Sequence, residues 1–182
     1  MRTFLIAAIA AIGLALWLNH LGKNLPTALP LGRRVPSAEL LLLGAPDSSV
    51  DIRDLITRPT VIDVMASWCE PCKMTIAPLE RLADSLGRDR LAIVYVAYDG
   101  PRDTLLLRWF FRDAKLPIMP PVYVPDGDGF RYRYLANGIP RSYLVTADGT
   151  LRWQGLSATL SGKGHMLLDS AGLAVVRSVL GT

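Results

Sequence analysis

The stretch Thr60–Leu86, "TVIDVMASWCEPCKMTIAPLERLADSL", decides the fold of this chain, because it holds the only two cysteines, three positions apart. Its first part, Thr60 to Ala66, is a compact apolar run rich in β-branched residues and reads as a central strand. Asp63, six residues before the first cysteine, is an acid inside that apolar run. Its second part reads as a helix starting just after Cys69. Pro71 is tolerated in a first helical turn, where its missing N–H removes no internal bond. Cys72, Ile76, Leu79, Ala83 and Leu86 come at spacings of four, three, four and three, the buried face of an amphipathic helix.

That placement gives the two sulfurs different chemistry. Cys69 sits at the positive end of the helix dipole, near unpaired backbone N–H groups, and both favour a thiolate over a thiol. It is the expected nucleophile. Cys72, one turn later on the buried face, is the expected resolving thiol. A structural zinc site needs four ligands, and beyond the pair the chain supplies only His20 and His165 without ligand-like spacing. No metal is therefore assigned. Cu(I) is less easily excluded: two thiolates can hold it, with Met65, Met74 or Met119 assisting, although core packing is the plainer role for those methionines. A permanent staple closing so short a loop would stabilise little. Redox work is the reading that remains strongest.

Outward from this stretch, "AELLLLGAPDSSVDIRDLI" reads as a strand, a turn around Pro46-Asp47, and a further short element. "RLAIVYVAYD" is a second buried strand ending at Asp99, and Asp103 to Ala114 looks helical, with Trp109, Phe110 and Phe111 facing the core. "RSYLVTADGTLRWQG" is a hairpin around Asp148-Gly149, and Met166 to Leu180 has helical composition. Strand–helix–strand and then a hairpin and a helix predict an α/β fold, with a mixed central sheet flanked by helices on both faces. Arg131, Tyr132, Arg133 and Tyr134 lack any nucleic-acid fold signature, and the net charge of +4 is too mild to suggest such a partner. That cluster and Arg141 are better placed as substrate contacts.

The chain begins "MRTFLIAAIAAIGLALWLNHLG", uncharged between Arg2 and Lys23. The apolar core from Phe4 to Leu18 makes a helix roughly 22 Å long, near the lower limit for crossing a bilayer. Residues 1–22 are read as a membrane anchor, with a signal peptide as the alternative. Residues 23–37, proline-bearing and without periodicity, are a linker or a strap, and 38–182 form the domain. A short apolar N-terminal segment of this kind commonly directs export of the domain behind it.

"WCEPCK" after "TVIDVMAS", and "NGIPRSYLVTADG" some seventy residues later, resemble thioredoxin-fold proteins; the two-cysteine motif is a standard mark of that fold. With the N-terminal segment and the stretch from Asp103 to Tyr134, the chain is similar to the TlpA/ResA/DsbE group of membrane-anchored, extracytoplasmic thiol–disulfide oxidoreductases. The resemblance implies a thioredoxin-like domain behind an N-terminal transmembrane helix, in the inner membrane with the domain outside the cytoplasm. It implies a redox-active Cys69–Cys72 disulfide and no other cofactor. It also implies a cis Ile139–Pro140 bond facing the cysteines, with Ile139 offering backbone groups to substrate and Trp68 shaping the contact surface. In thioredoxins an acid at the offset of Asp63 acts through water on the resolving cysteine, and burial suits a carboxyl to proton transfer near neutral pH. Implied partners are disulfide-bearing envelope proteins and a membrane electron donor of the DsbD/CcdA type.

Thr75, Pro78 and Arg141 depart from the cytochrome-maturation pattern of that group. Glu70 and Pro71, between the cysteines, tune the poise, and the charge of Glu70 should oppose the thiolate and favour a reductase. The alternatives are an oxidase or isomerase of exported proteins, and a copper-binding or copper-delivery protein.

Overall fold

Thr60–Met65 is buried at every residue and forms a central strand, as its composition predicts. In chain order the computed structural model contains a helical stretch, α1 (residues 9–18), then β1 (Glu39–Leu42), β2 (Ala45–Asp51) and a 3₁₀ turn (Ile52–Leu55). Next come β3 (Thr60–Met65), α2 (Glu70–Leu86), β4 (Ala92–Ala97), α3 (Thr104–Asp113), β5 (Val122–Pro125) and α4 (Gly129–Arg133). The chain closes with β6 (Arg141–Val145), β7 (Leu151–Leu156), a second 3₁₀ turn (Met166–Leu168) and α5 (Ser170–Leu180). The structure describes residues 9–18, 28–116, 118–127, 129–156 and 166–181.

The seven strands make one sheet in the order β2-β1-β5-β4-β3-β6-β7. β3, β4 and β5 run parallel, while β6 joins β3, and β7 joins β6, antiparallel. The α/β, mixed-sheet expectation is met. On one face Val61 and Leu144 pack against Leu79, Leu82 and Ala83 of α2 and Val176 of α5. Further along, Met65, Tyr95 and Ala97 pack against Ile76 of α2 and Leu107, Phe110 and Phe111 of α3. The other face, with Ile62, Val64, Val94, Val96 and Tyr143, is covered by Phe130 of α4 and Tyr134 just after it, by Ile52 and by Val35. Residues 28–35 act as a strap: the Leu29 N–H donates to Gln154 Oε1 at 3.0 Å, and Arg34 bridges Thr150.

Several local expectations are corrected. The first turn falls at Leu43–Gly44, where Gly44 takes φ +82°, and not at Pro46-Asp47. Pro46 lies inside β2, which is tolerated because β2 is an edge strand. Trp109 is 48% exposed while Phe110 and Phe111 are buried, since three consecutive helical residues cannot share one face. Met74 is exposed, whereas Met65 is core and Met119 packs partly against it. Tyr134 is buried, stacked on Phe130 at 4.3 Å, and is therefore not a surface contact residue.

Among the described residues no helix is long and apolar enough to cross a membrane. Of the segment expected to be an anchor, residues 9–18 are helical, and the remainder lies outside the described residues, as do His20 and His165.

Candidate functional site

Two ends of parallel strands and one helix terminus meet at the cysteines. β3 stops at Met65, the chain turns through Ser67 and Trp68, and α2 begins with Cys69 as its N-cap and Pro71 in its first turn. Cys69 and Cys72 are joined in a disulfide with Cα atoms 5.3 Å apart. Cys72 is fully buried, and Cys69 retains 4% exposure. Thr75 is buried beneath them and donates its hydroxyl to the Cys72 carbonyl at 2.8 Å. Glu70, on the outside of the same turn, pairs with Lys73 at 2.9 Å. The charge expected to oppose a Cys69 thiolate is thus countered by a neighbour, and the first turn carries no net charge from this pair.

The Ile139–Pro140 bond is cis. Pro140 is buried, and Ile139 packs against the cluster that contains both cysteines. The antiparallel register explains the approach: Val64 faces Arg141, so the residues just before β6 arrive beside the end of β3. One pair further in, Asp63 faces Ser142, and the Ser142 hydroxyl donates to Asp63 Oδ1. Asp63 is fully buried, in the row Val61–Asp63–Met65 that faces α2.

Beside the disulfide lies a cleft of about 450 Å³ lined by Trp68, Tyr98, Asp99, Arg131, Asn137 and Ile139, among others. Trp68 is 70% exposed at its rim. Asp99 holds the loop that carries Trp68, accepting from the Ser67 N–H at 2.9 Å and from the Ser67 hydroxyl. Burial pushes the Tyr98 phenol up to about 12 against the opposing charges of Arg131 and Arg141. It stays a donor, reaching the Ala136 carbonyl at 3.1 Å. On the face covered by α2, Tyr95 donates to the buried Glu80 at 2.6 Å, and Arg88 closes on the other Glu80 oxygen. Burial first, then the carboxylates of Glu80 and Asp63, raise the Tyr95 phenol well above its usual value. Among the described residues no three His, Cys, Asp or Glu side chains form a metal-holding group.

No family model matches the chain. It is 35% identical over 95 residues to the thiol:disulfide interchange protein CycY of Rhizobium leguminosarum, a match covering 52% of this chain and about half (48%) of that relative. It is 26% identical over 150 residues to the thiol:disulfide interchange protein DsbE of Pseudomonas aeruginosa, covering 82% of this chain and 77% of the relative. The solution structure of a thiol:disulfide interchange protein from a Bacteroides species superposes with a TM-score of 0.63 over 85% of this chain and 92% of the other, at 16% identity. The fold is thioredoxin-like, and in sequence the chain is similar to thiol:disulfide interchange proteins.

The structure gathers Trp68, Cys69, Cys72 and Ile139 at one end of the sheet, with Asp63 below them. Glu70 and Pro71 lie in the first turn of α2, with the Glu70 side chain turned outward. Of the two regions expected to meet substrate, Arg131 does line the cleft. Arg141 is half-buried, its charge acting on Tyr98 and Tyr143.

Asp99, Ser142 and the Tyr95–Glu80–Arg88 group went unnoticed in the sequence. A signal for Asp99 existed: it follows a parallel strand at its carboxyl end, beside the loop after the neighbouring strand, where α/β sheets place their sites. Asp99 is a positioning residue for the Ser67–Trp68 loop. Asp99→Ala is expected to lower kcat/KM for a protein disulfide about tenfold, the equivalent of one or two hydrogen bonds. The Asn variant should recover part of that loss. Steady-state kinetics beside urea unfolding separates this from a loss of fold; equal kinetics in the Ala variant would remove the role.

Proposed function

We propose that the chain is an extracytoplasmic reductase of disulfides in cell-envelope proteins, of the cytochrome-maturation or oxidase-assembly kind, held at the inner membrane by residues 1–22. The observation that carries the reading is the disulfide between an N-cap cysteine and a buried partner, opening beside a cleft rimmed by Trp68 and Ile139. The relatives named thiol:disulfide interchange proteins support it. So does α1, an apolar helix whose Ile9, Ile12, Leu14, Leu16, Trp17 and Leu18 are each more than half exposed among the described residues.

The cycle starts from the dithiol. The Cys69 thiolate attacks one sulfur of a substrate disulfide, forming a mixed disulfide and releasing the other substrate sulfur as a thiolate that takes up a proton. Cys72 gives its proton toward Asp63 and attacks the Cys69 sulfur. This closes the Cys69–Cys72 disulfide seen here and releases the second substrate thiol. Two electrons have moved from protein to substrate. A membrane dithiol donor of the DsbD/CcdA type returns them.

Charge sets the direction. With Glu70 and Lys73 cancelling, a Cys69 thiolate gains only what the helix terminus supplies, so the reduced form is not strongly favoured. Equilibration with glutathione is expected to give a potential near thioredoxin's, about −270 mV; a value above about −180 mV would mark an oxidase or isomerase instead.

A further inference from the structure

Helix α3 is apolar on two sides. Its inner side buries Leu107, Phe110 and Phe111. Its outer side presents Leu105, Leu106 and Trp109, exposed at 58%, 47% and 48%. Those three stand at positions i, i+1 and i+4, so they form one continuous patch. Exposed Arg108 and Arg112 flank it on the helix, and exposed Arg102 precedes it. Among the described residues only Arg112 of these has an ion pair, with Asp113 at 3.5 Å, and no carboxylate pairs with Arg102 or Arg108. A monomer seldom leaves such a patch uncovered.

Shape, charge and reach identify the covering partner. The patch lies on the outer surface of a helix, and its three apolar residues line neither the cleft beside the disulfide nor the one beside Met74 and Pro78, so it suits a flat, deformable partner better than an inserted side chain. Leucine and tryptophan beside arginine is the composition of helices lying at a bilayer interface, where the ring sits among headgroups and the guanidinium reaches phosphate. The eleven residue steps from Leu18 to Leu29, where the strap docks on β7, span at most roughly 40 Å. A domain on that tether stays within reach of the membrane that holds α1.

We propose that the outer face of α3, through Leu105, Leu106, Trp109 and the flanking Arg102, Arg108 and Arg112, docks the domain onto an anionic lipid surface. The inference rests on the anchoring of residues 1–22 proposed above and adds a second, charge-dependent contact. α3 comes after β4, whose carboxyl end carries Asp99 beside the disulfide loop, so docking would hold the cleft close to the bilayer surface, where a membrane electron donor works.

The test uses the full chain reconstituted in brominated vesicles, either phosphatidylcholine alone or mixed with phosphatidylglycerol. Comparison of the native chain with Trp109→Phe and with Trp17→Phe isolates the quenching at each ring. The expected result is Trp17 quenched in both lipids and Trp109 quenched only where phosphatidylglycerol is present. Each arginine near an anionic surface shifts the docked-to-free ratio on the order of fivefold, so Arg108→Glu with Arg112→Glu should lower it at least about twentyfold. Unchanged reduction of insulin by that variant verifies its fold. Trp109 unquenched while Trp17 is quenched overturns the docking, assigns α3 to a protein partner and leaves the anchor standing. Equal Trp109 quenching in both lipids, indifferent to the arginine reversal, also overturns it. An unquenched Trp17 overturns the anchor and the docking together.

Discussion

Cys72→Ser is expected to stop turnover and to leave substrate attached through Cys69. The second thiol sits one helical turn from the first, and attack by a group so held is equivalent to a very high local thiol concentration. With serine in its place, resolution depends on free thiols from solution, and turnover should fall by at least about a thousandfold. The attached species should run as a heavier band without reductant and collapse with dithiothreitol. Cys69→Ser should give neither turnover nor adduct, because the remaining sulfur of Cys72 is fully buried. Adducts forming through Cys72 in that variant would exchange the two roles; near-normal turnover by Cys72→Ser would end the two-thiol scheme.

Asp63→Asn should slow release of the mixed disulfide about a hundredfold near neutral pH while leaving substrate attack intact. The substitution preserves shape, and an amide oxygen can still accept from the Ser142 hydroxyl, so the β3–β6 register should survive. The loss is of a group able to take a proton. Stability to urea should hold or rise slightly, since a buried carboxyl is costly to keep and an amide is less so. Stopped-flow formation and decay of the adduct distinguishes the steps: unchanged decay removes Asp63 from the chemistry, and slowed formation would move its role to Cys69.

Much of this was legible locally, and the reasons differ by residue. The places of Cys69 at the helix start and of Cys72 on its buried face could be read because capping and spacing are properties of one helix, set within a few residues. The hairpin around Asp148-Gly149 declares itself in the same way. Glu80 did not: it interrupts the apolar row of α2 like any surface acid, and only Tyr95 from β4 and Arg88 from beyond the helix end make its burial tolerable. Trp109 was misjudged because its two aromatic neighbours suggested a shared core, whereas a turn of 100° per residue separates them. Pro46 looked like a turn until the strand order placed β2 at the sheet edge.

By itself the sequence determined a strand, a helix with a cysteine at its start, and a later antiparallel hairpin, since each depends on neighbours within one or two turns of chain. Only the tertiary structure decided which distant groups surround that sulfur. Ser142 reaches Asp63 across 79 positions and Asp99 holds Ser67 across 32, through the pairing of β6 and β4 with β3. Such contacts are set by strand register, in which a shift of one residue would turn every one of these side chains to the opposite face.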